Sequence, residues 1–496
     1  MYDIIIIGGG IVGTSIARQL SRYQLRVALL EKENDVSMGA SKANSAIVHG
    51  GYAESHDKLK GRLCYQGRKQ FAQLDQELNF GFDPIGSLVI AFNEEQKKGL
   101  EDLYKNGKLN GLDDLSIIGH DDIMTLEPNI NPDVQYALYC KGAGVCSPYE
   151  MTIALAENAV ENGLDLYLQS EVTAIQKQEK HFVINTTENQ CFSTRTIINA
   201  AGLHAGTISA LAGDDSFSIA PRSGEYLVMV RGSGSLVNTV LFQMPTKMGK
   251  GILVTPTYHG NLLIGPDAIN EEISDLDTHV ERLWKIFHEA MLTTDQLNIK
   301  KFIRSFTGLR SVSSTDDFII QESETVRGFI NVAGIQSPGM TSSPAIADLV
   351  VDILRDMGIA LTEKENFNPY RKPIIRRKDL IPASKAQAFV DLPFGQENRF
   401  VCRCEQVSEK TIRDAMNRGI KVTTIDGIKR RTRAGMGFCQ GEFCRPRVAE
   451  VMSDVLGYDI DPSFDIEHSG INRVGKTDVV RYIEKKLKEL DQTLPS

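Results

Sequence analysis

Four cysteines near the C-terminal end, Cys402-x-Cys404 and Cys439-x4-Cys444, form two tight clusters with 34 residues between them. Two such clusters can close around one small metal centre. Thiolates suit iron–sulfur clusters and zinc alike, although zinc sites more often use C-x2-C than the C-x-C found here. Gly435, Gly437 and Gly441 surround Cys439, and the backbone N–H groups they expose could hydrogen-bond the sulfurs and set a potential. The basic run Lys429-Arg430-Arg431-Thr432-Arg433 could offset the anionic charge of such a centre, dock an acidic partner, or be a solvated loop. The other cysteines, Cys64, Cys140, Cys146 and Cys191, show no ligand-like spacing and read as packed thiols.

The opposite end of the chain carries a dinucleotide site. Gly8-x-Gly10-x-x-Gly13 follows the apolar run Ile4–Ile7 and precedes the helical pattern Ile11–Leu20. The first glycine permits a tight turn, the second lets a pyrophosphate approach the backbone, and the third lets helix and strand pack closely. The helix N-terminus offers unpaired N–H groups and partial positive charge to the phosphates. Glu31 ends the next strand, 18 residues after Gly13, where a carboxylate can accept both ribose hydroxyls. Two further segments favour FAD over NAD. Asn199-Ala200-Ala201-Gly202 resembles the second dinucleotide motif of FAD-dependent amine and alcohol oxidoreductases. The turn Gly334–Pro338 opens another helix at Gly339-Met340-Thr341, whose N-terminus could stabilise negative charge at flavin N1–O2. A chain that holds a flavin and a metal centre can split a two-electron oxidation into one-electron steps.

Oxidising a secondary alcohol needs a base for the hydroxyl proton while hydride leaves the carbon for flavin N5. Imidazole is the side chain whose unperturbed pKa lies nearest neutrality. His49, ahead of Gly50-Gly51, is the candidate, with a structural histidine as its alternative. A phosphate or carboxylate end needs fixed cations, and Lys250, Arg310 and Arg222 are available. Arg222, in Pro-Arg-Ser-Gly-Glu-Tyr, is expected just before a strand.

The segment Gly39-Ala-Ser41-Lys-Ala-Asn44-Ser45-Ala-Ile-Val-His49-Gly50-Gly51 resembles the one that carries the flavin-proximal histidine in FAD-dependent glycerol-3-phosphate oxidases and dehydrogenases. L-2-hydroxyglutarate dehydrogenases have a similar one. The resemblance covers about residues 1–355 and is most like the shorter type II oxidases. It implies catalytic roles for His49, Ser45, Lys250, Arg310 and Ser337. The cofactor contacts expected with it are Gly8, Gly10, Gly13, Glu31, Ser41, Val172, Ala201, Gly202, Gly334, Gly339, Met340 and Thr341. The cysteine region resembles the bacterioferritin-associated-ferredoxin-like [2Fe-2S] domain that also ends the catalytic subunit of anaerobic glycerol-3-phosphate dehydrogenases. That likeness implies Cys402, Cys404, Cys439 and Cys444 as ligands of a [2Fe-2S] cluster.

The elements that must position these residues begin with a βαβ unit, from the apolar strand over residues 3–7 to the strand that ends at Leu30, which opens a doubly wound parallel sheet. Residues 80–140 read as an excursion from it, with strand-like Gly86–Phe92 and a charged helix over Glu94–Lys105. A helix at Met151–Asn162 and strands at Leu164–Leu168 and Thr196–Ala200 return to α/β alternation. Strand patterning from about 225 to 265 predicts an antiparallel sheet that covers the cofactor. The expected class is α/β: a Rossmann-like FAD-binding domain with an inserted antiparallel-sheet substrate domain, D-amino-acid-oxidase-like, then a small helical iron–sulfur domain. The boundaries are 1–365 for the flavoprotein body, 366–398 for a Pro- and Lys/Arg-rich linker, 399–456 for the cysteine domain and 457–496 for a helical tail. Its stretch Lys476–Leu490 is amphipathic and reads as a docking helix.

At 496 residues the chain exceeds one core. Hydrophobic content of 42% and charged content of 24% are ordinary for a globular protein. A net charge of −9 argues against nucleic acid as partner. No apolar run reaches the ~20 residues of a transmembrane helix, and the start lacks a signal-peptide pattern. The expected place is the cytoplasm, with peripheral contact at the inner face of the membrane through a partner. The expected reaction is oxidation of sn-glycerol 3-phosphate to dihydroxyacetone phosphate, with electrons leaving through the cluster to a protein subunit or quinone-linked partner. Two alternatives stand beside it: an L-2-hydroxy acid such as 2-hydroxyglutarate as substrate, and a non-catalytic electron-relay subunit.

Overall fold

The computed structural model describes residues 1–244, 251–271, 275–374, 379–463 and 470–493. A run of isoleucines builds its centre. Ile4, Ile5 and Ile6 are fully buried, so strand β1 (Tyr2–Ile7) packs on both faces, as parallel strands between helical layers do. It pairs in parallel with β2 (Val27–Leu30) and with the strand Cys191–Asn199. Asp165–Tyr167 and Phe329–Ala333 extend the sheet in parallel on either side. Phe182–Thr186, Val172–Lys177 and Ile319–Glu322 complete its eight described strands with antiparallel pairings. Helix α1 (Ile11–Leu20) connects β1 to β2 and shares a core with the helices Pro148–Glu161 and Gly339–Asp356.

The second sheet has nine described strands and unites two segments that the sequence reading kept apart. Ser87–Ala91, expected as part of an excursion from the first sheet, pairs antiparallel with Tyr136–Cys140 and parallel with Val240–Gln243. Local patterning shows a strand but not its distant neighbour, and this is why the two segments looked separate. The long strands Ile219–Met229 and Phe302–Ser313 run antiparallel in a register that sets Arg222 opposite Arg310, Tyr226 opposite Phe306 and Val228 opposite Arg304. Side chains alternate with a period of two, so these six share one face. The other face carries Leu227 and Met229 into a core with Leu283 and Phe287 of the helix Val280–Ala290. Helix Lys476–Thr493 buries Val479 and Ile483 in that same core. The tail's apolar stripe is thus already occupied within the chain.

In the cysteine domain, strands Phe400–Cys402 and Val407–Ser408 pair antiparallel and precede helices Glu409–Met416, Ile425–Thr432 and Arg445–Leu456. Ser408 and Thr424 cap the first two helices by accepting the N–H groups of Thr411 and Gly427. The preceding stretch 366–398 holds a helix, Ala383–Val390, whose Ala386 and Val390 pack with Phe400. Arg371 in the same stretch donates to Glu157 at 2.6 Å, with both side chains buried.

The basic run is neither a solvated loop nor an exposed docking patch. Arg431 donates to Asp35 at 2.6 and 2.9 Å and Arg430 at 2.8 Å, all buried. Arg433 donates to Glu405 at 3.0 Å, to Asn261 at 3.0 Å and to the Tyr149 hydroxyl at 3.2 Å. Asp35 belongs to the first domain and Asn261 to the second, so the run seats the cysteine domain on both. Among the described residues no helix is long and apolar enough to cross a membrane.

Candidate active site

One cavity of about 1450 Å³ runs from the β1–α1 turn, past His49, to the loop that carries Cys439. Its first wall is the glycine turn. Gly8 has φ +112°, and a Cβ there would stand 2.4 Å from the carbonyl oxygen of Ala200. At Gly13 a Cβ would lie 1.9 Å from the Gly8 oxygen. Gly13 therefore serves packing and does not itself face the cavity. Gly8 and Gly10 do. No acidic residue occupies the first turn of α1, which leaves the end of the helix favourable to anions. Ser41, also on the cavity, accepts the N–H of Ile11 at 2.8 Å. Glu31 accepts the N–H groups of Gly9 at 2.6 Å and Glu33 at 2.9 Å. Burial pushes its carboxyl up, against the pull of the Glu33 and Gly9 donors.

Ala201 and Gly202, at the end of the strand Cys191–Asn199, and Gly339, Met340 and Thr341, at the start of a helix, also line the cavity. Val172 and Gly334 are not brought to it. Val172 is 7% exposed and packs in a core with Tyr2, Ile5 and Leu30. Gly334 has φ +67° and would press a Cβ against Ser313 at 2.6 Å, so it shapes the turn that presents Ser337.

Strand Ile47–Val48 delivers His49. The backbone N–H of His49 donates to Thr341 Oγ1 at 3.0 Å, and its Nε2 lies 3.3 Å from the Ser337 hydroxyl. The Phe242 ring lies 6.0 Å from the imidazole, centroid to centroid. The register pair Arg222 and Arg310 faces the same cavity. Arg222 lies within the strand Ile219–Met229, not ahead of it. It donates to the amide oxygen of Asn270 at 2.7 Å. Arg310 bonds to the phenol of Tyr226, which also takes a hydrogen bond from Ser45. Burial pushes that phenol up, and the Arg310 charge and the two hydrogen bonds pull it back. Asn270 and Tyr226 are neutral, so bonding to them does not itself cancel the charge of the two opposed guanidiniums. Like charges directly opposite across a sheet are destabilising; an anion between them turns that cost into binding.

Tyr226 and Phe306, stacked at 4.6 Å, are site residues that sequence reasoning missed. The alternation Arg222-x-Gly224-x-Tyr226 held the signal: whatever faces a ligand from Arg222 does so again two and four residues later. Lys250 lies outside the described residues.

The four C-terminal thiols converge as crossed pairs. Cys404 and Cys439 have their sulfurs 3.7 Å apart, and Cys402 hydrogen-bonds Cys444. That hydrogen bond lowers the Cys402 thiol; burial opposes it, and the N–H groups of Gly435 and Glu405 assist. Cys444 is pushed up by its bond to Cys402, by burial and by the charges of the other three. Mutual proximity of four thiols with backbone donors to sulfur fits a cluster of thiolate ligands. A Cβ at Gly437 would sit 2.3 Å from the Cys404 Cβ, so the loop closes on the sulfurs only with glycine there. Met436 and Gln440, which bracket this end, also line the cavity.

The family model FAD dependent oxidoreductase matches residues 3–353, and BFD-like [2Fe-2S] binding domain matches 400–454. The chain is 44% identical over 474 residues to glycerol 3-phosphate dehydrogenase of Caloramator mitchellensis, covering 95% of this chain and 97% of that one. It is 33% identical to glycerol 3-phosphate oxidase of Mycoplasma genitalium, over 74% of this chain and 97% of the other. Among solved structures, dithionite-reduced L-alpha-glycerophosphate oxidase from Mycoplasma pneumoniae with FAD bound superposes with a TM-score of 0.71. That match has 30% identity and covers 75% of this chain and 98% of that one.

Proposed function

Because the chain belongs to the FAD dependent oxidoreductase family, with a BFD-like [2Fe-2S] binding domain behind it, we propose that it oxidises sn-glycerol 3-phosphate to dihydroxyacetone phosphate. The observation that carries this reading is the cavity that joins His49 and Ser337 to the opposed guanidiniums of Arg222 and Arg310. When bound, FAD would supply an acceptor for the hydride of the substrate carbon, and a [2Fe-2S] cluster a one-electron outlet.

The residues present suit both groups. Gly8, Gly10 and the open end of α1 would hold the pyrophosphate, and Glu31 the ribose. The helix N-terminus at Gly339–Thr341 would offer its N–H groups to the flavin, and Cys402, Cys404, Cys439 and Cys444 would ligate the iron. His49 Nε2 takes the proton of the substrate hydroxyl. Ser337 lies against that same nitrogen, which has one in-plane bonding position, so the substrate hydroxyl takes the place of the Ser337 hydroxyl there before the proton moves. Arg222 and Arg310 grip the phosphate dianion, and Tyr226 and Ser45 hold Arg310 in place. Lys250 adds a third cation by its family match. Electrons reach a protein or quinone-linked acceptor, in keeping with the cluster domain behind the flavin body.

Anaerobic titration of the purified holoprotein tests this. Excess sn-glycerol 3-phosphate should bleach the flavin absorption and reduce the cluster, while L-2-hydroxyglutarate leaves both unchanged. Bleaching by the hydroxy acid alone would overturn the choice of substrate. No bleaching by any small alcohol would leave an electron-relay subunit.

A further inference from the structure

We propose that Arg231, a residue of the flavin body, raises the reduction potential of the iron–sulfur centre through the Glu405 carboxylate, which it shares with Arg433. The inference deepens the function proposed above and rests on its cluster. It concerns how readily that centre accepts an electron, and not which substrate supplies it.

Glu405 follows Cys404 in the chain, and its side chain is 2% exposed. Arg433 donates Nε to Glu405 Oε2 at 3.0 Å, and Arg231 donates Nη1 to the same oxygen at 3.1 Å. Arg231 stands just past the strand Ile219–Met229, inside the stretch 3–353 that matches the flavoprotein family. Glu405 and Arg433 belong to the stretch 400–454 that matches the cluster domain. One carboxylate oxygen thus joins guanidiniums from two domains. A carboxylate buried this deeply needs such partners, because an unpaired charge in the interior is costly.

The carboxylate is near enough to the sulfurs to act on them. A Cβ on Gly437 would stand 3.4 Å from Glu405 Oε1 and 3.4 Å from Cys404 Sγ, so carboxylate and sulfur flank the same glycine. Glu405 also acts on Cys402, in two opposed ways. Its backbone N–H bonds to the sulfur and pulls the thiol down, while its charge pushes it up. A field that penalises a thiolate penalises an added electron for the same reason. Reduction brings one electron, and so one unit of negative charge, to a centre held by thiolates. The carboxylate opposes that electron, and each guanidinium on it relieves the opposition. In a water-poor interior such effects are far larger than at a surface. Arg433 has further partners in Asn261 and Tyr149 and lies within the field of Glu150. Those groups are common to the wild type and to a variant at Arg231, so they do not alter the sign of its effect. With Arg231 against Glu405, the flavin body makes the seated cysteine domain a better acceptor for its own electrons.

The test is a redox titration of the purified holoprotein with dithionite and mediator dyes, followed by the EPR signal of the reduced cluster and by flavin absorption. Arg231→Gln should weaken the hold of the cluster on its electron about tenfold, a fall of ~59 mV for a one-electron couple. Glu405→Gln removes the opposing charge and keeps an oxygen for the guanidiniums, so it should shift the potential the other way by a similar amount. Arg231→Lys keeps the charge and should restore most of the wild-type value. The flavin, titrated in the same cell, should hold its potential in all three variants. A contact that only braces the loop predicts shifts of one sign for both glutamine variants. That result, or an Arg231→Gln cluster at the wild-type potential, would overturn the proposal. If Arg231→Gln does not retain its cluster, the sign of the Glu405→Gln shift decides. Dithionite takes the place of substrate throughout, so the outcome is independent of whether glycerol 3-phosphate bleaches the flavin.

Discussion

The Ser337 hydroxyl lies 3.3 Å from His49 Nε2 across a sequence separation of 288 residues. The backbone of His49 is tied to the same neighbourhood through Thr341, at 3.0 Å. One segment near the end of the flavin domain, residues 337–341, thus holds His49 by both its ring and its backbone.

Removing that imidazole should slow the reductive half-reaction and leave cofactor binding intact. In stopped-flow mixing with substrate, His49→Ala should reduce flavin ~10²- to 10⁴-fold more slowly, the usual range for a lost general base. Ser337→Ala should cost less, because it frees the ring without removing it. Rates equal to wild type in His49→Ala would exclude the imidazole as base.

The opposed arginines should show themselves in substrate affinity. A charge-assisted hydrogen bond contributes about 1.5–3 kcal/mol, so Arg310→Gln should raise the substrate KM ~10- to 150-fold. Glycerol, which lacks the phosphate, should be oxidised as poorly by the variant as by wild type. Tyr226→Phe removes the phenol that Arg310 grips and should give a smaller rise in KM. A loss shared equally by glycerol would mean that Arg310 does not read the phosphate.

Much of the flavin site was legible because its signal is local. Gly8, Gly10 and Gly13 act within one turn, and the isoleucine run declares a strand buried on both faces. The convergence of His49 with Ser337 came from family likeness and not from spacing. What stayed hidden depends on partners far along the chain. The role of Arg431 stayed open between charge offset, docking and a solvated loop because Asp35, 396 positions away, is not visible from a basic run. Ser87–Ala91 looked like an outlier because a strand's neighbour is set by tertiary packing. Tyr226 was within reach of sequence reasoning, since strand alternation points from Arg222 to it.

Gly13→Ala should abolish FAD retention while leaving the cysteine centre. The added methyl would meet the Gly8 oxygen at 1.9 Å, far inside contact distance, and must push α1 away from β1. The purified variant should show the absorption of the cluster with no flavin bands. Flavin content equal to wild type would mean that the turn relaxes without loss of its cradle.

The seat between the domains has a pH dependence of definite sign. Burial pushes the Asp35 carboxyl up, but the charges and hydrogen bonds of Arg431 and Arg430 outweigh it and hold the group at about 2. A carboxyl whose folded pKa lies below its unfolded value of ~3.9 stabilises the fold at every pH above that value. The contribution is lost only as pH falls from ~4 through the folded pKa. Between about pH 5 and 9 this contact should therefore be constant, and limited proteolysis should find the domains seated throughout. Asp35→Ala removes the carboxylate that both buried guanidiniums share, with Glu157 still 3.8 Å from Arg431, and breaking a buried pair costs about 3–5 kcal/mol. The variant should release the cysteine domain to protease at neutral pH, with substrate still bleaching the flavin but the cluster reduced more slowly. Cluster reduction at the wild-type rate in a protease-sensitive Asp35→Ala would show that electrons cross without the seat.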